Sequence, residues 1–265
     1  IIDGKLFGLG SNDAGGALVS LLGLFVHFYA AENLTYNLIV AATAEEESSG
    51  PNGLNSLLKD LPNINVAIVG EPTQMQLAIA EKGLVVFDAV IKGTAGHAAH
   101  PNNDNPILKS MDVMQWFQNL QFDKVSNTLG PVKLTITQIN AGSQHNVVPS
   151  QVNLVLDVRV NECYTNQEIA EIVSQAPCEV TPRSLRLQSS SIDKEHPLVV
   201  AGIAMGRNTY GSPTLSDQAA LSCPSLKLGP GDSTRSHTAD EFIYTDEIKE
   251  AVRLYIELLD QVITS

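Results

Sequence analysis

Three short apolar runs in this chain each end in charged or metal-friendly side chains, and that repetition limits the folds open to it. Tyr36-Asn37-Leu38-Ile39-Val40-Ala41-Ala42-Thr43 runs into Ala44-Glu45-Glu46-Glu47-Ser48-Ser49-Gly50. Val66-Ala67-Ile68-Val69-Gly70 delivers Glu71-Pro72-Thr73, and Ser225-Leu226-Lys227-Leu228 delivers Gly229-Pro230-Gly231-Asp232 and then His237. Runs of this length and composition read as strands buried on both faces of a parallel sheet. Open α/β sheets gather their functional groups at the carboxyl ends of the strands. Three adjacent carboxylates repel one another unless a cation sits among them. Acids and a histidine collected at one sheet edge therefore point to a metal site.

The remaining pattern divides the chain. Asn12-Asp13-Ala14-Gly15-Gly16 leads into a helix with apolar residues at Ala17, Leu18, Leu21, Leu22, Phe25 and Phe28, a helical period. Asp13 thus falls near a helix start, where a capping carboxylate is the plainer alternative to a ligand. A short helix is predicted over Gly53–Lys59 before the Glu71 strand. After Gly83 the pattern changes: strand Leu84–Lys92, helix Ile107–Leu120, strands Val132–Ala141 and Gln151–Val160, helix Asn166–Gln175, then extended chain from Cys178 to Leu187. That β-α-β-β-α-β order is ferredoxin-like. A helix near Pro197–Thr209, the Leu226 strand and a helix over Thr245–Val262 resume the first style. The expected architecture is an α/β catalytic, metal-binding domain (residues 1–83 and 188–265) with an inserted ferredoxin-like α+β lid and dimerisation domain (residues 84–187).

Bulk properties exclude several functions. With 265 residues the chain can bury real cores, and a formal charge of −13 with only 16 Lys and Arg argues against a nucleic-acid surface or an anionic membrane. Three widely spaced cysteines, Cys163, Cys178 and Cys223, read as reduced thiols of a cytoplasmic protein. Gly8-Leu9-Gly10 with Gly15 has the wrong spacing for a dinucleotide loop, and Asp13 would face a pyrophosphate. Gly231-Asp232-Ser233 near His237 lacks a nucleophile elbow. In Gly96-His97-Ala98-Ala99-His100-Pro101, Pro101 argues against a helical metal pair, and His100 reads as a turn residue.

In order, Gly10-Ser11-Asn12-Asp13-Ala14-Gly15-Gly16, Thr43-Ala44-Glu45-Glu46-Glu47, Gly70-Glu71-Pro72, Gly93-Thr94-Ala95-Gly96-His97 and His237 resemble the motifs of the M20 metallopeptidases and deacylases, over nearly the whole chain. The Gly-Glu-Pro-Thr and Leu-Gly-Pro-Gly segments look closest to the acetylornithine deacetylase branch, which serves arginine biosynthesis. The resemblance implies two zinc ions per subunit, with cobalt or manganese as substitutes. It makes Asp13 the bridging carboxylate, Glu47 and Glu71 ligands of one metal each, His237 the ligand from the far end, and Glu46 the general base. It places His97 as an oxyanion-stabilising residue reaching the partner's site in a homodimer, and Asn146 and Arg159 as substrate-binding residues. The implied substrate is an N-acyl amino acid such as N-acetylornithine, hydrolysed at the amide. A dipeptidase or aminopeptidase with the same metals, and a non-catalytic binding protein of the same fold, remain open. Two features depart from the pattern. Glu45 stands where the family has Asp, and the His-x-Asp motif expected before Asp13 is not in a chain that opens on Ile1-Ile2-Asp3-Gly4. That motif is expected to lie in a segment preceding Ile1.

Overall fold

Gln151–Val160 explains the architecture of the inserted unit. Every second residue, from Val152 through Leu154, Leu156 and Val158 to Val160, is buried, as period-2 patterning requires. It pairs antiparallel with Gly83–Lys92 from Gly83↔Val160 to Lys92↔Gln151. Lys133–Ala141 flanks it on the other side, and Glu179–Pro182 flanks Gly83–Lys92. In the computed structural model, which describes residues 1–264, this unit spans Lys82–Ser189. Its helices start on local signals. The Asn105 side chain accepts the Ile107 N–H at 2.9 Å ahead of helix Pro106–Asn119. Thr165 and Glu168 form a reciprocal capping box on helix Asn166–Val173. Val113, Phe117, Ile169 and Val173 close the core over the sheet with Val85, Phe87 and Ala89, each Val, Ile or Phe side chain contributing about 1.5–3 kcal/mol by burial. The fold is the split-βαβ sheet that the strand order predicts.

The larger unit comprises Ile1–Glu81 and the chain from Ser190 on. Its sheet runs in the order Ser190–Ser191, Leu77–Glu81, Ser225–Leu228, Ala67–Gly70, with Thr209–Ser212 also paired to Leu77–Glu81. Ser225–Leu228 is parallel to Ala67–Gly70 but antiparallel to Leu77–Glu81, so the sheet is mixed and not all parallel. Helices Gly16–Phe28, Pro197–Ala204 and Thr245–Ile263 supply Leu24, Leu198, Leu254, Leu258 and Leu259 to one core. Gly23 lets the first and last helices approach, since a Cβ there would lie 3.2 Å from Val252.

Several expectations need correction. Residues 36–43 form no strand among the described residues. Their apolar character is used otherwise, with Leu38 packed against the core, but no neighbour among the described residues supplies a strand ladder. The helix from Pro197 stops at Ala204, not Thr209. Gly206 takes φ +78, and the N–H groups of Gly206 and Arg207 return to Ile203 and Gly202, a Schellman stop. Thr209 instead begins a strand. Of the extended chain predicted from Cys178, strand pairing covers Glu179–Pro182. Strands Lys5–Phe7 and Phe242–Tyr244, paired antiparallel, had no clear pattern in residues so few.

Candidate metal centre

Asp13 and His237 are 224 positions apart in the chain and are joined by Asn12. Its side-chain amide donates to the Asp232 carbonyl (3.0 Å) and the Ser236 hydroxyl (3.1 Å) and accepts the Asp232 N–H (3.2 Å). Gly231 makes room for it: φ is +88, and a Cβ would meet Asn12 Oδ1 at 2.4 Å. The N–H groups of Asn12 and Asp13 both donate to Glu241 Oε1, at 2.9 and 3.0 Å. Burial pushes the Glu241 carboxyl up, but those N–H groups, that of Gly10 and the His237 imidazole outweigh it and hold the group below its usual range. Asp13 is no helix cap. The following helix starts at Gly16 with no side-chain cap bond, so the Asp13 carboxylate is free to face the site.

His237 Nε2 lies 3.5 Å from Asp13 Oδ2 and 3.8 Å from Glu47 Oε2. The donor atoms of all three residues fall within 4.8 Å of one another. Ligands around a tetrahedral ion at 2.0–2.1 Å stand about 3.4 Å apart, so two carboxylates and an imidazole at these separations fit a divalent cation. The remaining acids differ. Burial, then the charges of Glu47, Asp217 and Asp13, push the Glu46 carboxyl up to about 7, while Lys227 opposes them. Glu71 follows strand Ala67–Gly70, and burial pushes its carboxyl up to about 9 against Lys227, with Glu46, Asp13 and Glu81 adding to the rise. Glu71 is thus within the field of the cluster but outside the triad of close donors. Glu45 turns away: its carboxylate accepts the backbone and side-chain N–H groups of Asn52 at 3.0 and 3.2 Å and shapes the loop.

Behind the acids lies a buried ion pair with no counterpart in the sequence reading. Lys227 Nζ stands 2.7 Å from Glu81 Oε2, with both side chains almost fully shielded. Lys227 also reaches Ser212 Oγ and Thr214 at 3.1–3.2 Å, and Ser216 donates its N–H and hydroxyl to Glu81. A lysine inside a fully buried strand was the available signal. Asn12, Glu241 and Asp217 carried none, because a side chain that holds backbone or a loop leaves no periodic trace.

Within the inserted unit, His97 and Asn146 come together. The two-residue strands Gly96–His97 and Val147–Val148 pair, and the Ala98 N–H donates to the Asn146 carbonyl at 2.9 Å. His97 Nδ1 accepts the Ala99 N–H at 3.1 Å, which leaves Nε2 to carry the proton of the neutral ring. His100 sits in the same turn, with its ring centroid 5.6 Å from that of His97. Arg159 is elsewhere, eight residues beyond Gln151 on a strand that rises about 3.3 Å per residue. It occupies a central strand, not an edge, and its guanidinium is held by Asp157 at 2.8 and 3.0 Å.

Comparison with known proteins agrees with this organisation. Residues 79–180 match the family model described as a peptidase dimerisation domain of M20 type. Succinyl-diaminopimelate desuccinylase 2 of Ruegeria is 23% identical, over 98% of this chain and 72% of that protein. The Helicobacter pylori succinyl-diaminopimelate desuccinylase is 29% identical over 72% of this chain and 52% of its own length. Aminopeptidase PepT from Bacillus cereus shares the fold at a TM-score of 0.75 and 17% identity, over 99% of this chain and 75% of that one. The Bacillus subtilis YXEP protein, a dinuclear metal binding peptidase, does so at 0.68 and 17%, over 94% and 72%. Residues 79–180 thus match the dimerisation domain of M20 peptidases, and the fold over nearly the whole chain is the M20 peptidase fold. No helix among the described residues is long and apolar enough to cross a membrane.

Proposed function

We propose that this chain is a zinc-dependent deacylase that hydrolyses the amide of an N-acyl amino acid, N-acetylornithine being one candidate, and that it works as a homodimer through the inserted unit in the cytoplasm. The observation that carries this is the convergence of Asp13, Glu47 and His237 within 4.8 Å, with Glu46 poised near neutrality beside them. Asp13, Glu47 and His237 would hold one ion, and Glu71 would join Asp13 around a second. Bound divalent metal supplies an acidified water and a polarised amide carbonyl. Glu46 would accept the proton of the attacking water as the C–O bond forms. It would then deliver that proton to the amine nitrogen as the C–N bond breaks. His97 of the partner subunit, with Nε2–H free to donate, would steady the developing oxyanion, and Asn146 would hold a polar group of the substrate. Arg159 would have to release Asp157 to clasp a substrate carboxylate bidentately.

The names of the desuccinylase relatives favour acyl removal; the same acids would equally cut a dipeptide. Chelated protein, reloaded with zinc, cobalt or manganese, is offered N-acetylornithine, N-succinyl-diaminopimelate and dipeptides, and amine release is followed. Turnover of an N-acyl amino acid that a chelator abolishes is expected. Preference for dipeptides would make the chain a peptidase, and metal binding without turnover would make it a binding protein.

A further inference from the structure

Three loops meet at the metal centre, and two of them are moored by buried side chains. Glu241 holds the Asp13 loop, and Asn12 holds the His237 loop. The acid loop Ala44–Gly50 is different. Its own bonds, Ser49 N–H to the Glu46 carbonyl, Gly50 N–H to the Glu45 carbonyl and Asn52 to the Glu45 carboxylate, give it shape. They do not fix its place. The residues before it, 36–43, gain no strand ladder that would do so.

One tie comes from Thr43, whose hydroxyl donates to Asp217 Oδ2 at 3.0 Å across 174 residues. Asp217 begins the short turn Asp217–Ala220, which Ser216 caps through its hydroxyl. Ser216 is in turn bonded through both N–H and hydroxyl to Glu81, the buried partner of Lys227. On its far side, Gln218 donates to Ser225 at 2.9 Å in the strand Ser225–Leu228. Asp217 therefore stands on a rigid base, flanked on both sides by residues bonded into the sheet. Thr43 precedes Glu46 by three residues, so slack at Thr43 is passed directly to the carboxyl that must face the water.

We propose that Asp217 is a positioning residue which, through Thr43, sets where Glu46 and Glu47 stand relative to Asp13 and His237. The inference rests on the proposed hydrolase reading for its catalytic consequence, but the clamp itself is measurable without turnover. The test uses the full chain loaded with zinc and compares Thr43→Val, Thr43→Ser, Asp217→Ala and Asp217→Asn. Thr43→Val and Asp217→Ala should raise hydrogen exchange at the amides of residues 44–50 about tenfold, the worth of one hydrogen bond to a charged acceptor, and weaken zinc binding measured by calorimetry. With the N-acyl substrate turned over fastest in the panel above, kcat should fall about 10–100-fold, as for a small misplacement of a reacting group, while KM is held. Thr43→Ser, which restores the donor, and Asp217→Asn, which keeps an acceptor oxygen, should recover exchange protection, zinc affinity and most of kcat. Unchanged exchange in 44–50, unchanged kcat, or equal impairment by Val and Ser at position 43 would overturn the proposal. Should the wild-type chain bind zinc and hydrolyse none of the amides, the function reading fails, and exchange with zinc affinity alone decides the clamp. Thr43→Val carries the test if Asp217→Ala does not fold.

Discussion

Lowered carboxyls occur in both units, but among the described residues raised ones occur in the larger unit alone. In the inserted unit the shifted carboxyls, Asp88, Asp104 and Glu168, all sit below their usual range, because Arg183, Lys109 and Lys124 hydrogen-bond their charged forms. In the larger unit Glu46, Glu71 and Asp217 are pushed up, each by burial before anything else. Backbone follows the same division. The non-glycine residues with positive φ, Asp3, Asn33, Glu45, Ser49, Gln74, Met75 and His237, all belong to the larger unit. Glu45 and His237 lie in the very loops that build the candidate centre. Positive φ at non-glycine residues and the burial of ionisable acids are both costly and persist where the surroundings over-determine them. One unit spends its sequence on regular packing, and the other holds carboxyls whose ionised form a bound cation would favour.

The largest expected effect tests that division at its sharpest point. Glu46→Gln keeps size and polarity but cannot accept a proton, and should lower kcat about 10²–10⁴-fold, the range for lost acid–base catalysis. Single-turnover amine release checks it. A rate within twofold of wild type would mean that the raised carboxyl is merely buried.

Ion pairs give the next comparison. Lys227→Met leaves Glu81 charged and shielded, and should cost about 3–5 kcal/mol in urea unfolding, the penalty for breaking a buried pair. Adding Glu81→Leu should recover part of that loss. Arg183→Met breaks an equally well-formed but exposed pair with Asp88, and should leave the urea midpoint almost unchanged, since solvent screens such pairs. Equal losses at the two positions would erase the contrast between the units.

How much of this was legible follows the same line. The strand Gln151–Val160 and the helices expected over Ile107–Leu120 and Asn166–Gln175 read directly, because the patterns that mark them are local. The three acid-bearing segments were also visible, as was His237. What escaped is what joins them. Asn12, Glu241 and the Thr43–Asp217 contact act across more than 170 positions, and a single hydrogen bond of that reach leaves no pattern in either segment. The run at 36–43 misled for a related reason, since strand-like composition becomes a strand only beside a partner.

The smallest effect concerns pH in the inserted unit. The Glu168 carboxyl is held at about 2, against 4.5 unperturbed, first by the Lys124 ammonium and then by the Thr165 N–H. Because the folded value is depressed, the stabilisation is fully present above about 4.5 and is lost as pH falls toward 2. Glu168→Gln should flatten the acid limb of stability in that window, read by thermal melts from pH 6 to 2. An unchanged limb would place the acid sensitivity elsewhere.

Zinc calorimetry on the wild-type chain, Glu46→Gln, Glu47→Gln and His237→Ala tests the central claim most directly. Wild type and Glu46→Gln should bind with the same affinity, whereas Glu47→Gln and His237→Ala should each bind at least tenfold more weakly, because each removes a close donor while Glu46 is none. Loss of zinc in Glu46→Gln with retention in Glu47→Gln, or undiminished binding without His237, would contradict the assignment of Asp13, Glu47 and His237 as a metal centre.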